Sequence, residues 1–166
     1  MGLPQSDITA YEHPIELVEH LIAQNCWEYD RISQDEIVIQ IDGACANYEI
    51  TFCWLPKPEV LHVICTFDNY VLPSRHQEMR RLIAMINSKV LLGNFDFWAN
   101  SHVIVFRQTL PLAGGLQPSI SQIEFLISTA IETCDSHHNS CRLIAMSGLP
   151  AEEALKCCLF ETKGSA

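Results

Sequence analysis

The sequence predicts an α+β fold, with a five-stranded antiparallel sheet and helices packed on one of its faces. Short segments alternate apolar and polar residues with the period of a half-buried strand. Longer segments repeat apolar residues every three or four positions, as an amphipathic helix does. The predicted order is α-βββ-α-ββ-α-α, and strands grouped apart from helices in this way favour an antiparallel sheet with helices on one side.

The first half of the chain predicts one helix and three strands. Residues 1–12 are expected to be a loose lead-in, and Pro14 suits the first position of a helix that ends near Asn25. The stretch that follows is ambiguous, because Trp27 and Tyr29 would also suit the start of a strand. Alternating apolar residues then predict strands at residues 36–42, 47–54 and 61–67. Their short connections favour an antiparallel meander.

The chain is organised around a capped amphipathic helix that leads into a strand. Ser74 and Gln77 have the spacing of a capping box. The apolar residues that share one face of this helix are Met79, Leu82, Ile83, Ile86 and Val90. Gly93 follows where a left-handed residue would end the helix. Residues 95–98 are rich in aromatics and residues 102–110 are rich in β-branched side chains, which predicts a hairpin.

Two further helices complete the predicted fold. The first begins with two overlapping start signals, Ser119 with Gln122 and Ser121 with Glu124. The regular spacing of apolar residues in this predicted helix weakens at residues 136–140. The last helix is predicted at residues 151–160. The sequence has no internal repeat and no linker, so we expect a single domain over residues 1–166.

The composition excludes several classes of function. The chain has 166 residues and a net charge of −10, and an acidic chain repels phosphate backbones, so no nucleic-acid partner is expected. No segment is apolar for as long as a membrane span requires, and Met1 to Ala10 lacks the basic start and apolar run of a signal peptide. The eight cysteines have no CxxC pattern and are expected to be reduced thiols of a cytoplasmic protein.

One group of residues has the chemistry of a metal site. On a continuous helix Cys134, His138 and Cys141 would line one face, and thiolate and imidazole are zinc ligands. Structural zinc sites normally draw their ligands from two separate elements, so ordinary helix positions are the favoured interpretation. No metal residue is therefore assigned.

A second group has the chemistry of an acid–base or small-ligand site. Asp96, His102 and Arg107 lie on or beside the predicted hairpin. No activating partner can be named for them, and polar residues are expected at a hairpin turn in any case. No catalytic or cofactor residue is assigned. An enzyme, or a protein that binds a small ligand or a metal through one of these two groups, stays the alternative to a binding module.

Four stretches carry a resemblance to a known family. They read PIELVEHLIAQNCWEYDR, EITFCWLP, CTFDNYVLP with RRLIAMINSKVLLGNFDFW, and PAEEALKCCLFETKG. With them the chain resembles the bacterial YbjN-like proteins, the family of putative sensory transduction regulators, from about Pro14 to Gly164. The pair His137-His138 departs from the family, in which an aromatic or apolar pair is expected.

The resemblance implies a fold and a kind of function. Proteins of this family look like type III secretion chaperones, with an antiparallel sheet, flanking helices and usually a homodimer. No catalytic residue is established for the family, so none is carried over. We therefore expect a non-enzymatic, homodimeric module that binds a protein or peptide partner. The expected interface is the central helix and the strand after it, through Met79, Leu82, Ile83, Ile86, Phe97 and Trp98.

Overall fold

The computed structural model describes residues 13–67 and 69–161. Its helices are α1 (Pro14–Gln24), α2 (His76–Asn87), α3 (Ile120–Arg142) and α4 (Ala151–Glu161). Its strands are β1 (Tyr29–Arg31), β2 (Glu36–Asp42), β3 (Asn47–Leu55), β4 (Val60–Thr66), β5 (Asn94–Trp98) and β6 (Val103–Pro111). A 3₁₀ turn (Pro73–Arg75) precedes α2, and a π-helical turn (Leu143–Ser147) follows α3. The predicted lead-in at residues 1–12 lies outside the described residues.

The strands form one antiparallel sheet in the order β1-β2-β3-β4-β6-β5. The predicted α+β class and antiparallel sheet are confirmed, but the predicted number of five strands was wrong, because β1 is a sixth. This strand has three residues, none of them fully buried, so it shows no alternating pattern. Backbone bonds at both of its ends hold it against β2, from Gln40 N–H to Glu28 C=O and from Ile32 N–H to Glu36 C=O.

The hydrophobic core lies between the helices and one face of the sheet. The register aligns five buried side chains in a row across five strands: Ile39, Ile50, Cys65, Phe106 and Phe95. Helix α1 packs over β2 and β3, α3 over β4 and β6, and α2 over β5. Burial of each large apolar side chain stabilises the fold by about 1.5–3 kcal/mol. Side chains on the opposite face, such as those of Val38 and Ile64, are only half-buried.

The predicted boundaries of α2 were wrong at both ends. Ser74 forms no capping box, because Pro73 begins a 3₁₀ turn and Arg75 takes the N-cap position without a side-chain bond. The helix ends at Asn87, whose amide group bonds the backbone N–H and C=O of Phe95 at 2.8 and 2.9 Å. Gly93 is left-handed, as expected, but lies just before β5, where a Cβ would approach the Phe106 ring to 2.5 Å.

Helix α3 begins as predicted and continues further than predicted. The capping box of Ser119 and Gln122 is confirmed, with both reciprocal bonds present. The helix continues through residues 136–140, where the apolar pattern weakens, and two polar residues there pack against aromatic rings. The imidazole of His137 meets the Phe95 ring edge-on, with 5.5 Å between centroids, and that of His138 stacks on Phe67.

Candidate protein-binding surface

A group of rings meets where the β5–β6 hairpin turns. We call Tyr70, His76, Arg80, Phe97 and His102 the hairpin-tip cluster. Ring centroids are 4.9 Å apart for Tyr70 and His102, and 4.7 Å apart for His76 and Phe97. The Arg80 guanidinium lies 5.4 Å from the centre of the Phe97 ring, the geometry of a cation–π contact.

Hydrogen bonds from two loops and a helix hold the cluster in place. His102 is left-handed, with φ +59°, which turns the chain between β5 and β6. Its carbonyl accepts from Val71 N–H at 2.8 Å, so the loop after β4 is bound to the hairpin. The Nε2 atom of His76, the first residue of α2, lies 3.1 Å from the Val71 carbonyl and 3.0 Å from Nδ1 of His102. The hairpin, the loop and the helix therefore meet at one histidine pair.

Exposed apolar side chains lie in the loop and the strand that carry this cluster. Tyr70 is 59% exposed, Leu72 is 51% exposed, and Trp98, adjacent to Phe97 in β5, is 37% exposed. Exposed aromatic and arginine side chains close together are the composition that protein interfaces favour. This arrangement of exposed side chains is more typical of a surface that binds another macromolecule than of a catalytic site.

The structure separates the residues of the predicted interface into two groups. Met79, Leu82, Ile83 and Ile86 are buried against the core of the chain itself. They hold α2 in place and have almost no surface to present to a partner. Phe97 is half-buried and Trp98 is exposed, so these two lie where a partner can reach them. An interface at this helix and strand stays a prediction.

Tyr70, Leu72 and His76 were not identified from the sequence. Tyr70 and Leu72 lie in the loop before Pro73, outside any periodic pattern, and His76 is one of seven histidines in the chain. The available signal was two large apolar residues in a loop, where burial is not expected.

The sheet places Asp96 near Arg107 and leaves His102 apart from both. The Asp96 carboxylate lies 3.4 Å from the Arg107 guanidinium on the half-buried face of the sheet. Arg107 is five residues along the chain from His102 at the hairpin turn, which is about 17 Å in an extended strand. A cavity of about 310 Å³ beside Arg107 is lined by His62 and Asn94 and does not reach His102. These three residues therefore do not form one acid–base site.

The cysteine and histidine group of α3 does not form a metal site. In the part of the chain that the structure describes, no three His, Cys, Asp or Glu side chains are arranged to hold a metal ion. Cys134 and Cys141 are fully buried and lie about 10 Å apart along the helix axis. The Cys134 thiol instead donates to the thiol of Cys65 on β4, with 3.5 Å between the sulfur atoms.

Burial keeps these thiols protonated. It raises the pKa of Cys134 well above the usual range, and the hydrogen bond with Cys65 raises it further. Burial also raises the pKa of Cys141 to about 12. A thiol acts as a nucleophile or metal ligand only as the thiolate, so both cysteines are inert core residues at neutral pH.

The fold defines the chain as an α+β protein with a six-stranded antiparallel sheet and a helical layer. The chain belongs to the YbjN family, whose description is "Putative bacterial sensory transduction regulator" and whose family model matches residues 14–143. The comparison with curated proteins found no significant match.

A solved structure supports the fold. The chain is similar to the protein described as "Crystal structure of YbjN, a putative transcription regulator from E. coli", with a TM-score of 0.52 and 12% sequence identity. The match covers 75% of this chain and 93% of that chain. At this identity the likeness concerns the fold alone. Within residues 13–67 and 69–161, no helix is both long enough and apolar enough to cross a membrane.

Proposed function

We propose that this protein is a non-enzymatic regulator that binds a protein or peptide partner and acts as a homodimer in the cytoplasm. It would do so as a single domain with a type III secretion chaperone-like fold. The observation that carries the proposal is the hairpin-tip cluster, whose Tyr70 is exposed, together with the exposed Leu72 and Trp98 in the adjoining loop and strand. The description of the family as a regulator supports the same class of function.

The proposed dimer uses the edge strand β5 together with α2 beside it. Phe97 on the helix side of β5 and Trp98 on the opposite side supply the apolar contact. The buried residues Met79, Leu82, Ile83 and Ile86 hold α2 against the core. Arg80 lies over Phe97 at the edge of this surface. A rigid aromatic anchor loses little conformational entropy when it binds, which is why such residues contribute most to interface affinity.

Light scattering coupled to size exclusion at micromolar concentration tests the dimer. We expect twice the chain mass of 18.7 kDa for the wild-type protein, and a shift toward the monomer for Trp98→Ala. The matched control is Phe125→Ala, which removes an exposed aromatic ring from α3, far along the chain from β5. A wild-type protein that stays monomeric, or a Phe125→Ala variant that dissociates as Trp98→Ala does, would overturn the proposed interface.

A further inference from the structure

One edge of the sheet is closed by the protein itself. Edge strands present unpaired backbone groups to which another strand can add. On β5 the outward N–H and C=O of Phe95 are both bonded by the side chain of Asn87. The next outward N–H, that of Phe97, is bonded by the carboxylate of Asp96 at 2.8 Å. Both outward N–H groups of β5 are therefore already bonded, which disfavours strand addition there.

The other edge, β1, has no strand on its outer side within residues 13–67 and 69–161. The bonds at Glu28 and Ile32 place Asp30 toward β2, so alternation turns the N–H and C=O of Tyr29 and Arg31 outward. Among the described residues, no group bonds these outward backbone groups. Tyr29 is 40% exposed. The two edges of one sheet thus differ in whether a further strand can add.

The charged side chains at β1 indicate which charge an added strand would need. Glu28 and Asp30 are exposed along β1. Arg31, the cation within β1, is already bonded to Glu19 at 2.6 Å and to two backbone carbonyls. A cavity of about 450 Å³ lies beside the strand and is lined by Trp27, Tyr29 and Val38 among others. The edge is therefore acidic, with room for side chains of an added strand.

We infer that β1 binds an extended basic peptide, which adds to the sheet as a seventh strand. This rests on the proposed protein-binding function and adds the class of partner. Backbone hydrogen bonds to Tyr29 and Arg31 hold the peptide, and its Lys or Arg side chains meet Glu28 and Asp30. A second copy of this chain fits poorly, because antiparallel pairing of two β1 strands about their centre places Asp30 opposite Asp30.

The test uses the full chain and the amidated peptide Lys-Thr-Lys-Thr-Lys-Thr-Lys. We expect calorimetric binding that weakens with salt, and slower hydrogen exchange at the amides of Tyr29 and Arg31. A peptide N-methylated at alternate residues keeps the charge but loses the backbone donors, and it should bind about tenfold more weakly. Equal binding of the two peptides would show a purely electrostatic contact and overturn the inference.

Two variants separate the backbone contribution from the side chain. Tyr29→Pro removes an outward N–H that the fold does not use, while Tyr29→Val removes the ring and keeps the N–H. We expect about tenfold weaker binding for Tyr29→Pro than for Tyr29→Val. Equal affinities of Tyr29→Pro and Tyr29→Val for the peptide would contradict the inference. So would slow exchange at Tyr29 and Arg31 in the free protein, since the edge would then already be paired.

The same measurements distinguish this inference from the proposed dimer. Trp98→Ala should bind the peptide as the wild-type protein does, because Trp98 lies at the opposite edge of the sheet. Tyr29→Pro should keep the dimer mass. A dimer without peptide binding refutes only the β1 inference, and peptide binding by a wild-type monomer refutes only the dimer.

Discussion

Two helix side chains each hold the turn of a hairpin, and they do so with different chemistry. Asp135 of α3 accepts from Ala44 N–H at 2.8 Å, Cys45 N–H at 2.9 Å and the Tyr48 hydroxyl at 2.8 Å. His76 of α2 contacts the β5–β6 turn through a single ring nitrogen. The first contact is a carboxylate with three donors. The second joins two half-buried imidazoles beside the exposed ring of Tyr70.

The electrostatics of the two contacts differ accordingly. Burial opposes ionisation of Asp135, but the N–H groups of Ala44 and Cys45 and the Tyr48 hydroxyl outweigh it and lower its pKa. Burial and the bond to Asp135 together raise the pKa of Tyr48. The ionised acid and the protonated phenol stabilise each other, so we infer that the Asp135 contact fixes the fold. The His76 contact leaves Tyr70 exposed and presents a surface.

The largest effect is expected for Asp135→Ala. The substitution removes three hydrogen bonds to a charged acceptor and leaves the hydroxyl of the buried Tyr48 without its partner. We expect a loss of about 3 kcal/mol in the free energy of unfolding, measured with urea. Glu132→Ala, an exposed acid on the same helix, is the control. A loss no larger than that of the control would contradict the comparison.

The contribution of Asp135 should depend on pH. Its folded-state pKa is lowered, so the unfolded chain binds the proton more tightly. The stabilisation is therefore complete above the unfolded pKa and is lost as pH falls through the folded one. The difference between the wild-type protein and Asp135→Ala should be constant from about pH 7 to about pH 4 and should shrink as pH falls further. Urea midpoints measured above and below about pH 4 check the prediction, and a difference that does not shrink at the lower pH would show that the carboxylate charge is irrelevant.

Sequence patterns predicted the elements that are long enough to show a regular spacing of apolar side chains, or that depend on residues close together in the chain. The strands of the central meander and the Ser119 capping box follow from side-chain period and from a local hydrogen-bond pair, and both were confirmed. The strand β1 was missed as a separate element because three residues are too few to show a period. The end of α2 was wrong because it depends on Asn87 bonding Phe95, a contact between two elements.

The candidate surface was predictable only in part, for the same reason. Phe97 and Trp98 were identified because an aromatic run is visible in the sequence. The roles of Tyr70 and His76 depend on where the loop after β4 meets the hairpin turn, through Val71 and His102. The sequence also did not decide whether Met79 and its neighbours on α2 face the core or a partner. An apolar helix face shows the same residue spacing in both cases.

The smallest effect is expected for His76→Ala, which tests the second contact. The ring is half-buried, and its loss removes bonds to one carbonyl and one imidazole, so we expect a loss of about 1 kcal/mol. Exchange of the Val71 amide, which bonds the His102 carbonyl, should become faster as the hairpin turn loosens. Gln77→Ala, the next and exposed position on α2, controls for helix propensity. If His76→Ala destabilises the protein as much as Asp135→Ala does, the hairpin-tip cluster is part of the structural core, and its exposed rings are not explained by partner binding.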